Sequence, residues 1–218
     1  INPASGGGRI NKIQDKLKDR LKELGIAGEF AKSTGPGDVA RLAKMAIERG
    51  YKTIVAVGGD GTVNEVAKGL IGGNCTLGII PIGSGNGLAR HLRLPMKVKD
   101  AIEILNQKKT QSIDTATING EHFVNVAGIG FDAHIAHHFA AATKRGPLPY
   151  AKIATYEFQR YKPMEYEVYV EGQPYHMTAF LISFANSAQF GNNAYISPHA
   201  IINDGLLDVC LMSEFPKV

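Results

Sequence analysis

The sequence predicts a doubly wound α/β unit with a parallel sheet over roughly the first half of the chain, followed by mainly antiparallel strand. Three observations carry this. The runs "KTIVAV" and "CTLGIIPI" are short and almost continuously apolar, as strands covered on both faces are, and each leads through glycines into a helical pattern, "VNEVAKGL" and "NGLARHL". After Asp114 the texture changes to strand-like segments folded about Asn119 and Gly120, and again about Gly172. With 218 residues, 44% of them hydrophobic and 20% charged, the chain can bury one large core or two modest ones.

Taken in order, the chain opens "INPASGGG", where a single apolar residue precedes a turn that a strand of about five residues would ordinarily feed, so the first strand is expected to be clipped. "NKIQDKLKDRLKEL" puts Ile13, Leu17, Leu21 and Leu24 on one stripe at helical spacing. "GDVARLAKMAIERG" repeats the pattern and stops at Gly50. The two apolar strands and their helices follow, then the helical "KDAIEILNQ". "TATINGEHFVNVAG" and "YEVYVEGQPYHMTAFLISFAN" read as hairpins, separated by a helical, basic insert over residues 135–161. "LLDVCLMSEFPKV" ends shortly after a strand pattern with nothing to pair or cover it, and both ends together predict a fragment. The halves are taken as residues 1–113 and 114–218.

Composition narrows the function classes. No run approaches the roughly eighteen apolar residues of a spanning helix, and no charged-then-apolar leader opens the chain, so a soluble protein is expected. A net charge of +4 and a pI near 9.0 favour anionic partners. Cys75 and Cys210 lie in apolar runs and are expected as buried free thiols in a reducing cytosol. Neither zinc-finger spacing nor a recognition-helix pattern occurs, so nucleic acid is not an expected partner. His134, His137 and His138 share one helical face, but no cysteine or acidic partner accompanies them in the sequence.

The chemistry concentrates in glycine-rich bends. In "IVAVGGDGTVNEVAKGL" a strand becomes a helix through Gly58, Gly59 and Gly61, and a bend without Cβ atoms at the C-terminal edge of a parallel sheet lets a phosphate approach free backbone N–H groups. Asp60 is unexpected there. A carboxylate beside a phosphate is repulsive unless a divalent cation, or a proton to be removed, lies between them. Thr62, Asn64 and Glu65 add polar groups where the helix begins, although a tight turn that uses glycine for its own sake fits the same residues. "NPASGGG" places Asn2, Ser5, Gly6 and Gly8 at one further junction, and "PIGSGNGLAR" places Gly83, Ser84, Gly85 and Asn86 at another. "STGPGD" adds the hydroxyl of Thr34. Three bends on one edge favour a polyphosphate cradle over three unrelated turns. The G-x-x-x-x-G-K-[ST] motif is absent, and "GIGFDA", which fits G-x-G-x-x-A, has antiparallel neighbours, so a P-loop and a dinucleotide dehydrogenase are both set aside.

"NPASGGG", "GGDGTVNEV", "PIGSGNGLAR" and "NDGLLDV" occur in the order and at about the spacing of the diacylglycerol kinase catalytic-domain family, which the chain resembles over nearly its whole length. The glycine-glycine-aspartate-glycine bend alone is shared with NAD kinases; the outer two motifs point to the lipid-kinase branch. The resemblance implies an N-terminal nucleotide-binding α/β domain and a C-terminal β-sandwich with the active site between them. It implies nucleotide contacts at Gly59, Asp60, Gly61, Thr62, Val63, Asn64 and Glu65, with further ones at Thr34 and at Ser84, a serine where many relatives carry threonine. It implies a magnesium site at the Asp204 carboxylate and the Ile201 and Leu206 carbonyls, hard oxygens that suit that ion. Asp204-Gly205 reads equally as a hairpin turn. Asp132 is expected in a lipid-hydroxyl pocket, with a turn or capping role as the alternative.

The expected activity is transfer of the ATP γ-phosphoryl group to a lipid alcohol with magnesium, with Asp60 or a carboxylate beyond residue 218 as base; a fragment could then bind nucleotide without turnover. An NAD kinase-like enzyme and a silent nucleotide-binding module are the alternatives. The insert carries Lys144, Arg145, Lys152, Arg160 and Lys162 among aromatic residues, a composition for transient contact with an anionic membrane by a cytoplasmic, peripheral protein. A helix pair with a solvated basic face fits as well. A homodimer stays open.

Overall fold

The computed structural model describes residues 1–3, 10–35, 37–141 and 147–215. Two amphipathic helices, α1 (Ile10–Glu23) and α2 (Asp38–Glu48), precede β1 (Thr53–Gly58), α3 (Asp60–Leu70) and β2 (Thr76–Pro81). β1 and β2 pair in parallel from Thr53 opposite Thr76 to Gly58 opposite Pro81. Short helices α4 (Gly87–His91) and α5 (Val98–Asn106) complete the first half. Successive strand residues point to opposite faces. Ala56 and Ile79 therefore enter a core with Val39, Val63, Val66 and Leu88, while Val57 and Ile80 enter a second core with Leu17 and Ile102. That two-sided burial is why both strands read as continuous apolar runs.

The opening residues extend this sheet. Asn2 N–H donates to the Val57 carbonyl at 3.3 Å, and the Ile1 carbonyl accepts Ser33 N–H at 3.0 Å, which sets Ile1 and Asn2 between β1 and residues 31–33. An apolar cavity of about 440 Å³ lies among α1, α2, β1 and residues 26–33, lined by Leu17, Leu21, Phe30, Val39, Val55 and Leu105 among others. None of residues 58–62 or 82–86 lines it.

The second half is antiparallel, as the alternation predicts. β3 (Ala116–Ile118) and β4 (Glu121–Phe123) form a hairpin whose Asn119 and Gly120 both take positive φ, 52° and 78°. It rides on α3 through a Lys68–Glu121 ion pair of 2.5 Å. β5 (Val126–Gly130) pairs with β8 (Leu181–Ala185), which pairs on its other edge with β11 (Asp208–Met212). β6 (Met164–Val170) and β7 (Gln173–Ala179) form the hairpin about Gly172, and β9 (Gln189–Gly191) with β10 (Ala194–Tyr195) forms a small one. The helical insert comprises α6 (Phe131–Ala141) and α7 (Pro147–Arg160). α6 starts at Phe131, not at residue 135, because Gly130 at φ 96° turns β5 directly into it. Cys75 and Cys210 are free thiols but only half-buried. Asp204-Gly205 is not a hairpin tip: residues 196–207 contain no strand.

Ile102 is 1% exposed and Leu148 is 78% exposed. Ile102→Ala is expected to lower the unfolding free energy by about 2–5 kcal/mol in urea titration, and Leu148→Ala by less than about 0.5 kcal/mol.

Candidate active site

The bends at the C-terminal ends of β1 and β2 touch backbone to backbone. A Cβ on Gly83 would lie 2.4 Å from the Gly59 Cα, and one on Gly59 would lie 3.0 Å from the Gly83 Cα. The ladder continues past the strands, with Ile82 N–H donating to the Gly58 carbonyl at 2.9 Å. The second half closes on the same point: a Cβ on Gly191, at φ 130°, would lie 2.6 Å from the Gly85 Cα. Asn192 N–H donates to the Gly85 carbonyl at 3.1 Å, and Arg90 Nε donates to it at 3.0 Å. The Cβ position at Gly58 is occupied by the Thr62 side chain. Only Gly61 in the first bend has nothing within 4 Å of that position. Most of these glycines thus serve loop packing, and the open approach lies over Gly61. There the positive end of α3, which Gly59 leaves without a side-chain cap, lies beside that approach, with the Asp60 N–H held by its own carboxylate.

Asp60 has a partner that neither a cation nor a reacting proton supplies. Its Oδ2 accepts Asn86 N–H at 2.7 Å, and its carboxylate also takes the N–H groups of Gly87 and Leu88, which caps α4. Burial pushes its proton affinity above the ordinary carboxylate range, and those N–H groups oppose the shift. Asn86 holds the bend from within, since its Oδ1 accepts Gly83 N–H at 3.0 Å and its Nδ2 donates to the Gly83 carbonyl at 2.9 Å. Its φ of 55° is the left-handed geometry that asparagine tolerates. Ser84 is half-buried at the apex of that bend.

The remaining expected contacts divide. Asn2 Nδ2 donates to Thr62 Oγ1 at 3.0 Å, which ties the opening segment to the first bend. Thr34, next to Ser33 and so beside Asn2, donates from N–H and Oγ1 to Asp38 Oδ2 at 2.8 and 3.1 Å. Ser5, Gly6 and Gly8 lie outside the described residues. Val63 is 4% exposed, so only its backbone can reach a ligand. Asn64 Nδ2 donates to the His122 carbonyl at 3.2 Å, toward the β3–β4 hairpin. Glu65 Oε2 is buried with no hydrogen-bond partner among the described residues.

Asp132, on the first turn of α6, sits in different surroundings. Its Oδ1 accepts Ala133 N–H at 2.8 Å and its Oδ2 accepts the Ser183 hydroxyl at 3.3 Å. Burial raises its proton affinity, against those two hydrogen bonds. Tyr161 is pushed up to about 12, chiefly by burial, then by a hydrogen bond with Tyr166, with the Asp132 charge adding to it. Phe131, Phe158, Tyr161 and Phe180 pack within 6 Å of one another on the neighbouring wall, the Phe131 and Phe180 centroids being 4.6 Å apart. β5 links the two regions. Asn125 Nδ2 would meet a Cβ on Gly87 at 2.7 Å, and a Cβ on Gly128 would lie 2.5 Å from Asp132 Oδ2. Three strand residues separate those points by roughly 10 Å.

Asp204 and Leu206 lie together on the loop before β11, and Ile201 stands three residues earlier on it. Asp204 Oδ1 accepts Leu206 N–H at 3.0 Å, and Gly205 N–H donates to Asp114 Oδ2 at 2.7 Å. Residues 200–203 border His91, Leu92 and Arg93 at the C-terminal end of α4, whereas Asp60 binds its N-terminal end. An exposed carboxylate and a loop rich in carbonyls suit a hydrated magnesium ion. Ser183, Gly191, Arg90 and Asp114 were not singled out in the sequence. Ser183 had one visible signal, a small polar residue inside the apolar run "FLISFA".

Comparison with known proteins accords with this geometry. Residues 1–118 match the diacylglycerol kinase catalytic domain, and residues 125–218 match the YegS C-terminal NAD kinase beta sandwich-like domain. The chain is 30% identical to a diacylglycerol kinase of Bacillus subtilis over 98% of its own length and 72% of the relative's. It is 32% identical to a protein of Chromohalobacter salexigens described as "Probable lipid kinase YegS-like", over 91% of its own length and 66% of the relative's. The chain thus spans about two thirds to three quarters of these relatives. A crystal structure of a diacylglycerol kinase from Bacillus anthracis superposes on 97% of the chain and 71% of its own with a TM-score of 0.76 at 25% identity.

Because Asp132 holds its proton more tightly folded than unfolded, its contribution to stability is full below the ordinary value of 3.8 and is lost as pH rises through the raised value. The stability of the wild type minus that of Asp132→Asn should therefore fall as pH rises above the ordinary value of 3.8 in urea titrations. A difference that does not change with pH contradicts the burial assigned to this group.

Proposed function

The chain belongs to the diacylglycerol kinase catalytic-domain family, a family of lipid kinases, and on that premise we propose that it transfers the γ-phosphoryl group of ATP, with magnesium, to the hydroxyl of diacylglycerol or a related lipid alcohol. The observation that carries this reading is the open approach over Gly61 beside an uncapped helix N-terminus, in the midst of bends too close for side chains.

In this proposal residues 1–113 hold the nucleotide and residues 114–218 present the acceptor. The N–H groups of the Gly61 turn hold phosphate oxygens, Asn2, Thr34 and Ser84 border the nucleotide, and the Arg90 guanidinium adds positive charge beside the Gly85 bend. Asp132 and Ser183 line the acceptor pocket with polar groups at its far end from Asp60, and the Phe131, Phe158 and Phe180 wall takes hydrocarbon. In the transfer the acceptor oxygen forms a bond to the γ-phosphorus, the bond to the ADP oxygen breaks, and the hydroxyl proton passes to Asp60, whose raised proton affinity suits a base. Magnesium brought with ATP would supply charge neutralisation, and Asp204 with the Ile201 and Leu206 carbonyls would hold a second ion on the loop at the C-terminal end of α4.

No helix among the described residues is long and apolar enough to cross a membrane. The proposed contact with lipid is a surface one, through exposed Leu148, Tyr150 and Tyr156 with Lys152 and Arg160 on α7, by a cytoplasmic protein peripheral to an anionic membrane.

The test is mass spectrometry of products after incubating full-length protein with ATP, magnesium and a mixed lipid extract, with NAD in a parallel reaction. A new phosphorylated lipid is expected. Phosphorylated NAD without phosphorylated lipid, or ATP binding without any product, overturns the reading. Asp60→Asn is expected to lower turnover by about 10²–10⁴-fold, measured on folded protein because the lost cap on α4 also lowers the urea midpoint, and undiminished turnover removes Asp60 from the mechanism.

A further inference from the structure

We propose that His134, His138 and Glu157 form a binding site for a divalent transition metal of the zinc class, which staples α6 to α7. The proposal is independent of the kinase reading. His134 and His138 stand four residues apart on α6, so their rings project from one face, with centroids 4.5 Å apart. The acidic partner missing from the local sequence arrives from α7, where Glu157 Oε2 lies 2.8 Å from His134 Nε2. One donor atom from each of the three residues falls within 4.8 Å of the other two. His137 stands apart, its ring centroid 6.0 Å from that of His138.

The spacing can be compared with what the ion requires. Ligands about 2.0–2.1 Å from zinc at tetrahedral angles lie about 3.3 Å from each other. The 2.8 Å contact need only open by about half an ångström, and the wider ones close by about 1.5 Å. His138 is exposed and free of core packing, so it can make that adjustment by a small side-chain rotation. The three side chains supply two imidazole nitrogens and one carboxylate oxygen, and binding the ion displaces any proton they hold. Two imidazoles with one carboxylate favour zinc-class ions over magnesium, which prefers oxygen alone. Three protein ligands with an exposed edge leave the fourth position for water.

The site also has a structural consequence. Phe131 lies one turn before His134 on α6, and Phe158 follows Glu157 on α7; their rings are 5.9 Å apart in the aromatic wall beside Asp132. A metal bridging the two helices one turn away fixes the separation of those rings. An ion pair between His134 and Glu157 accounts for two of the three residues without metal, and His138 is the residue that distinguishes the two accounts.

The experiment is calorimetric titration of the chelator-stripped full chain with zinc chloride, alongside thermal unfolding with and without the ion. Wild type is expected to bind one zinc per chain and to gain melting temperature. His138→Ala, a change at an exposed position, is expected to weaken binding at least ~10-fold, since loss of even an outer-shell partner costs roughly 10–100-fold, and to abolish the thermal gain. His137→Ala is expected to behave as wild type, and any thermal gain from magnesium chloride at the same concentration to be the same in wild type and His138→Ala. Absence of zinc binding by wild type, undiminished affinity in His138→Ala, or equal weakening by His137→Ala overturns the proposal.

Discussion

The contact between Gly83 and Gly59 is the constraint from which the rest of the site follows. With no room for a Cβ on Gly83, the ends of β1 and β2 approach closely enough for α3 and α4 to start side by side from one sheet edge. That proximity brings Asn86, Gly87 and Leu88 within reach of Asp60, twenty-six residues away by the Asp60–Asn86 bond. Each side then needs the other. The amide N–H groups at the start of α4 would otherwise lack acceptors, and the buried carboxylate would otherwise lack donors. A side chain on Gly83 would part the bends by about an ångström and break these bonds together, whereas one on Gly59 asks for a shift of a few tenths.

Val124 and Ile202 carry the second half into the core of the first, and polar groups order the second half's own loops beside that contact. Asn186, 1% exposed, donates to the carbonyls of Asp114 and Val124 at 2.8 and 3.0 Å, and its own N–H donates to Asn125. Ser187 donates to Asn125, and His91 Nδ1 accepts the N–H of Ala188 at 3.0 Å. Burial, with the nearby Arg93 charge, lowers the proton affinity of His91 and favours the neutral ring that this acceptor role requires. Hydrogen bonds are directional where apolar contact is not, so the His91–Ala188 and Gly85–Asn192 bonds fix how the second half sits on the first. The side-chain oxygen of Asn186, buried without a partner among the described residues, is where the second half's own network is incompletely satisfied.

What the sequence made legible was local. The stripe of Leu17 and Leu21, the apolar alternation of β1 and β2, and the Asn119-Gly120 turn are each decided by residues within a few positions of one another. The bends were legible as bends, but their glycines were read as room for a phosphate, whereas at Gly58, Gly59 and Gly83 the space is filled by Thr62 or by a facing backbone. Nothing near Asp60 announces the start of α4 as its partner, nothing near Gly85 announces Gly191, and nothing near His134 announces Glu157, because each pair meets only when distant elements pack. The early start of α6 was missed for a related reason: "GIGFDA" is strand up to Gly130 and helix from Phe131, and a positive φ at one glycine is invisible to periodicity.

The arrangement separates two properties that a phosphoryl-transfer site needs and that conflict at a single point. Rigid placement calls for backbones packed without gaps, and ligand access calls for a gap. Here Gly59, Gly83, Gly85 and Gly191 serve the first and Gly61 serves the second, one residue past the acid that joins the bends. In the proposed reaction the charged phosphates meet fixed N–H dipoles that need no rearrangement to stabilise charge. The acceptor end is placed by a different device. Asp132 is positioned by β5, whose first residue follows the Asn125 that packs on Gly87, so the distance between the two ends is set by strand geometry and not by a loop. A site built this way varies its acceptor by changing the aromatic wall of α6 and α7 while leaving the bends untouched.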